Sequence, residues 1–201
     1  MEREAKKRGA PVFTFKENLS DPFTQLIFTI LSSRTRDEAT VEAGKRLIEK
    51  ARTPKELMKL DVDEIERLIR GVGFYRVKAR KLKELAEKLV KDYNAEVPLD
   101  FDELIKLPGV GRKTANLVLS SSGTPAIAVD THVHRISNRL GLVKTRTPEE
   151  TEKELMKIFP RDLWPKINKA FVGFGQVVCK PRKPLCSECP LREICKSADN
   201  L

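Results

Sequence analysis

The stretch Leu107-Pro108-Gly109-Val110-Gly111-Arg112-Lys113-Thr114-Ala115 decides how the rest of the chain is read. Two glycines bracket one apolar residue, and a helix-forming run follows at once. A turn this tight asks for backbone angles that glycine takes freely. Pro108 fixes the entry and removes one amide donor. The next helix therefore begins at or near Gly111, with its first amides unpaired and pointing outward. Such a helix start attracts phosphate. Upstream, Asp100 to Leu107 reads as a short helix, capped by Asp100 with Glu103 three residues on. Lys113 is the odd residue, because a cation in the first turn opposes the helix dipole. Two readings of it are open: a lysine that reaches the same phosphate, or an amine that attacks carbon.

Helix, Gly-apolar-Gly turn, helix is the pattern of a helix-hairpin-helix, which clamps a DNA backbone without reading its sequence. The totals lean the same way. Among 201 residues there are 39 Lys and Arg against 29 Asp and Glu, a net charge of +10. That excess favours a polyanionic partner. The abundance of both signs also suits a merely solvated, heat-tolerant surface. With 40% hydrophobic residues the chain can bury a core. No apolar run approaches the ~18 residues of a membrane span. Met1 to Arg8 is charged and lacks the apolar centre of a signal peptide. The expectation is a protein that works inside the cell, in the cytoplasm and at the nucleoid, without structural disulfides.

Taken in order, the chain reads as about ten helices and no sheet. Asp21-Pro22-Phe23 opens a buried helix to Leu31, and Ser32 to Arg36 breaks it. Thr35 with Glu38 reads as a capping box for a helix to about Ala51. Thr53-Pro54 and Asp61 with Glu64 open two more. Gly71-Val72-Gly73-Phe74 is a second Gly-apolar-Gly turn, followed by a long helix to about Tyr93. Ala126 to Val129 is short and apolar, either a strand or a buried extended loop. Asp130 caps a helix that Gly141 stops. Thr147-Pro148 starts another, and a last long helix lies within Leu163 to Val178.

All four cysteines fall near the C-terminus as Cys179, Cys186, Cys189 and Cys195, a C-x6-C-x2-C-x5-C spacing. Four thiolates this close in an intracellular protein read as a metal site. The intervening loops are rich in proline and basic residues, so the metal would hold this end together. Cysteine chemistry alone leaves both a tetrahedral zinc and a four-iron cluster open.

From about Asp21 to Cys195 the chain resembles the endonuclease III family of DNA glycosylase/lyases. The resemblance is carried by Leu107 to Ala115, by Ile127-Ala128-Val129-Asp130-Thr131-His132-Val133, and by Val172-Gly173-Phe174-Gly175-Gln176 with the cysteine spacing. It implies an all-α helix-hairpin-helix glycosylase fold of two helical domains with a DNA-binding cleft between them. A six-helix domain would span residues 17–124, and residues 1–16 and 125–201 would form the cluster domain. It implies a [4Fe–4S] cluster on the four cysteines and a monomer bound to double-stranded DNA bearing a damaged pyrimidine or abasic site.

The chemistry implied is base excision of oxidised pyrimidines. Lys113 would attack C1′ of a flipped-out nucleotide, form a Schiff base, and cut the strand by β-elimination. Asp130 would assist as a carboxylate, though an aspartate there is also an ordinary helix cap. His132 and His134 read as packing or surface residues rather than catalysts. Leu107, Gly109, Val110, Gly111 and Arg112 would contact the DNA backbone. Arg34 stands where many relatives carry glutamine, and would fill the hole left by the flipped base. Phe74 is either an apolar wedge between base steps or core packing. Lys180, Arg182 and Lys183 would touch phosphate, or lie exposed and idle. The nearest rival is a G·T or G·U mismatch glycosylase of the same superfamily; the rival of another class is a non-catalytic DNA-binding module.

Overall fold

The structure, a computed structural model, describes residues 1–14 and 21–198. Among these residues it is helical and has no strand. Helices α1 (Glu2–Lys7) and α2 (Pro11–Thr14) precede α3 (Pro22–Ser32), α4 (Asp37–Lys50), α5 (Pro54–Lys59), α6 (Val62–Leu68) and α7 (Tyr75–Asp92). Then come α8 (Phe101–Leu104), α9 (Arg112–Ser121), α10 (Thr131–Leu140), α11 (Pro148–Ile158) and α12 (Trp164–Val177), with short 3-10 turns at Arg161–Leu163, Cys186–Glu188 and Arg192–Ile194. No helix is long and apolar enough to cross a membrane.

The chain divides into two units. One runs through Thr124 and holds α3 to α9; the other joins the N-terminal helices to everything from Pro125 onward. The boundary expected at residues 16 and 17, like Phe15 and Ser20, lies outside the described residues.

The α3–α9 unit is built around α3. Phe23 and every residue from Gln25 to Leu31 are buried, and a helix apolar on all sides belongs in an interior. Gln25 satisfies its amide on the Thr29 hydroxyl at 3.3 Å within the same helix. Helices α4 and α9 pack against α3, and α5 and α6 against α7. The α10–α12 unit has its own core, with Ile127, Val133, Ile136, Leu155, Phe171 and Phe174 at its centre. Ala126 to Val129 is not a strand but a buried extended loop. The Asn168 amide donates to the Ala128 carbonyl at 2.8 Å, a side-chain bond where a sheet partner would otherwise be needed.

Several helix starts are capped as the local sequence dictates. Asp21, Thr53, Asp61 and Thr147 each accept an amide from the first turn, and Asp61 with Glu64 closes a full capping box. Three readings are corrected. Helix α4 starts at Asp37 without a side-chain cap, because the Thr35 hydroxyl is engaged by Gly73 and Lys78, far along the chain. The helix before the central turn is only Phe101–Leu104. Its Glu103 does not reach back to the cap: it accepts from the Tyr93 hydroxyl at 2.8 Å and pairs with Lys106 at 2.6 Å.

Candidate functional site

The central turn gives its two glycines different jobs. Gly109 sits at φ +82, in the left-handed region that favours glycine. Gly111 is the N-cap of α9 at φ −104, an angle open to any residue, and an added Cβ there would meet nothing. The fold therefore sets no demand for glycine at position 111. Leu107 and Val110 are 2% and 7% exposed, and their amides are engaged within the turn, on the Leu104 and Leu107 carbonyls. Their side chains pack inward, so the outward-facing surface here is the backbone of Gly109 and Gly111 and the start of α9. No side chain caps α9, so its first-turn amides stay outward. Arg112 lays its guanidinium over the Phe101 ring at 4.5 Å, tying the two helices of the hairpin.

Lys113 is the second residue of α9 and is exposed. Among the described residues no hydrogen bond or ion pair engages its ammonium. Asp130, in the other unit, is the N-cap of α10. Its Oδ1 accepts both the His132 and Val133 amides at 2.9 Å. Among the described residues Oδ2 has no partner, so capping fixes the carboxylate and leaves one oxygen open. His132 stands over Gly175, where a side chain would collide with its ring, and its Nδ1 lies 3.2 Å from Arg135. His134 is drawn into a hydroxyl chain, with Nδ1 2.7 Å from Thr151, which in turn lies 2.6 Å from Thr145.

Arg34 and Phe74 come together. Arg34 has φ +53 and Phe74 φ +57, and the guanidinium carbon lies 5.6 Å from the ring centroid. Phe74 is 61% exposed, which removes core packing as its role. Sequence reasoning missed the residue beneath them, Lys78 of α7, which is buried. It also missed Arg135 and Arg139. Arg135 donates to the Cys179 carbonyl at 2.8 Å, and Arg139 to the carbonyls of Lys180 and Pro181 at 2.8 and 3.0 Å. Their four-residue spacing on one face of α10 was the available signal. Both brace the loop that carries exposed Lys180, Arg182 and Lys183. Lys180 and Arg182 also line an open hollow of about 540 Å³ with His132 and Gln176.

No disulfide joins the four cysteines, which are gathered by tight turns: the Cys189 amide donates to the Cys186 carbonyl, and that of Cys195 to Arg192. Burial pushes the Cys189 thiol up, and Cys179, Cys195 and Cys186 stand near enough to push it further. Yet among the described residues no three potential ligands close on a single ion. Thiolates around one zinc, each ~2.3 Å from the metal, must nearly touch. Four cysteine thiols within one short segment are the donor set that a [4Fe–4S] cluster takes. No residue from 179 to 198 is buried, so a bound group has structural work to do there.

Residues 27–161 match the HhH-GPD superfamily of base excision DNA repair proteins. Residues 179–195 match the iron–sulfur binding domain of endonuclease III. The chain is 56% identical to endonuclease III of Thermotoga maritima over 178 residues, covering 88% of this chain and 84% of that protein. It is 41% identical to endonuclease III of Bacillus subtilis over 179 residues, covering 88% and 82%. Its structure is similar to that of a trapped endonuclease III–DNA covalent intermediate, with a TM-score of 0.84 and 40% identity, covering 98% of this chain and 97% of that one.

Proposed function

The chain belongs to the endonuclease III family, and from that premise we infer that it is a base-excision DNA glycosylase with AP lyase activity. Its substrate is double-stranded DNA inside the cell, bearing an oxidised pyrimidine or an abasic site, and it acts as a monomer. The observation that carries the reading is Lys113: an exposed amine that no described residue engages, at the start of the helix that leaves the Gly-Val-Gly turn.

The roles follow from the residues. Backbone amides at Gly109 and Gly111 and the open start of α9 receive phosphate. Arg34 and Phe74 enter the stack as the damaged nucleotide leaves it. The unprotonated Lys113 amine forms a bond to C1′ while the C1′–base bond breaks; the base departs with the electron pair and takes up a proton. Opening of the sugar gives a Schiff base. Loss of a C2′ proton then expels the 3′ phosphate and cuts the strand. The resemblance assigns Asp130 to the same reaction, as a carboxylate that takes up a proton or steadies positive charge at C1′. Lys180, Arg182 and Lys183 contact phosphate. Cys179, Cys186, Cys189 and Cys195 hold a [4Fe–4S] cluster, which fastens the C-terminal loops and supplies no electrons to hydrolysis or elimination.

Borohydride reduction on a duplex containing thymine glycol tests this, with Lys113→Ala beside the unaltered protein. A covalent complex that disappears in Lys113→Ala is the expected result. Base release without trapping would point to a mismatch-type, water-using glycosylase. Neither trapping nor release would leave a DNA-binding scaffold.

A further inference from the structure

Lys78 lies one turn after Phe74 on α7 and is 7% exposed. Its ammonium donates to the Leu31 carbonyl at 2.8 Å, the Ser33 carbonyl at 2.6 Å and the Thr35 hydroxyl at 3.1 Å. An ammonium has three donors, and these oxygens engage all of them. The Leu31 and Ser33 carbonyls lie at the C-terminal end of α3, where backbone acceptors have no helical partner. Arg34 is enclosed by this set: its neighbours on both sides are bonded to Lys78. The Thr35 hydroxyl also accepts the Gly73 amide at 3.1 Å, so the turn before Phe74 is tied to the same point. Gly73 has no room for a side chain, because an added Cβ would run into the Arg34 carbonyl oxygen.

Arg34 and Phe74 both hold positive φ. Non-glycine residues persist in that region where their surroundings over-determine them. Here the surroundings are one ammonium and one hydroxyl. Among the described residues no charged partner acts on Lys78, and burial pulls its pKa down, to about 8. A charge placed against its own burial, and fully bonded to this loop, points to a geometric role.

We propose that Lys78 is a positioning residue that presets Arg34 and Phe74 as a single stacked wedge for prising a base pair open. The proposal rests on the glycosylase reading above. It assigns Lys78 to base opening and gives it no part in bond breaking at C1′. A wedge whose backbone is preset has less freedom to lose on entering the duplex, so its benefit appears where the lesion is paired and vanishes where it is already unstacked.

The test compares thymine glycol paired in a duplex with the same lesion in an unpaired bubble. The proteins are the full chain, Lys78→Met, Lys78→Arg and Thr35→Val, each checked for helix content. Lys78→Met should lower kcat/KM on the duplex tenfold or more and change it less than twofold on the bubble. Lys78→Arg, whose guanidinium can reach the same carbonyls, should recover most of the loss. Thr35→Val leaves the buried cation in place and should show the same duplex-selective defect if Lys78→Met does not fold. Equal losses on both substrates, or none on the duplex, would overturn the proposal. An unaltered protein inactive on both would remove the glycosylase reading, and this proposal with it.

Discussion

Lys78 carries its charge where the interior resists it, and that resistance has a measurable sign. Its pKa is about 8 in the fold against 10.5 when solvated. Between those values the unfolded chain binds a proton that the native chain has released, so stability rises with pH across that window. Below pH 8 the contribution is lost. The difference in unfolding free energy between the unaltered protein and Lys78→Met should therefore shift by ~2 kcal/mol in favour of the unaltered protein from pH 7 to 9.5. Urea titrations of both at the two pH values measure it. A constant difference would mean that the three oxygen acceptors hold the ammonium against its burial throughout. No local pattern announces this residue. A lysine on a charged amphipathic helix reads as a solvated one, and its acceptors lie 43 to 47 positions away.

At the scale of elements, the sequence is legible where the decisive contacts are short-range. Asp61 with Glu64, Thr53 before Pro54, and Thr147 before Pro148 cap the helices that their spacing predicts. The start of α9 and the stop of α10 at Gly141 read equally well, because a helix end is settled within one turn. Thr35 defeats the same logic. A cap is worth about 1 kcal/mol, and a hydroxyl that can instead satisfy a buried ammonium and a tight-turn amide is drawn to them. Asp130 raises the converse issue, since capping and chemistry share one carboxylate. Asparagine caps as well as aspartate but carries no charge. Asp130→Asn should keep the thermal midpoint of the unaltered protein while base release in single-turnover assays falls ~10²-fold. Asp130→Ala should lose ~1 kcal/mol of stability in addition. If Asp130→Asn cleaves at the original rate, the carboxylate is a cap alone.

Over the whole molecule, the charge excess is less a DNA footprint than its total suggests. Arg46, Lys78, Lys83, Arg135 and Arg139 all donate to backbone carbonyls at helix ends or in the cysteine loop. Cations near helix C-termini are favoured by the dipole as well, so part of the +10 holds the fold together. Composition could not separate these from Lys180, Arg182 and Lys183, which project into solvent. The cysteine loop shows the opposite dependence. Its turns are local, none of residues 179–198 is buried, and Ile194 is 72% exposed, so apolar burial contributes little to its order. Its ties to the rest of the unit include Arg135, Arg139, the Arg8–Glu188 ion pair at 2.9 Å and the packing of Cys189 and Leu191 on the core, and the cluster joins its four cysteines. Stripping the iron should therefore loosen this segment selectively. Trypsin should cut after Arg182 and Arg192 at least tenfold faster in iron-depleted protein, Lys180 and Lys183 being shielded by the prolines that follow them, while α3 to α9 keep their helix content. The same treatment should weaken duplex binding and flatten its salt dependence by roughly the phosphate contacts that the loop supplied, each worth about 0.9 in the slope of log K against log salt. Unchanged tryptic cleavage after iron removal would mean that the loop's own side-chain contacts hold it without the cluster.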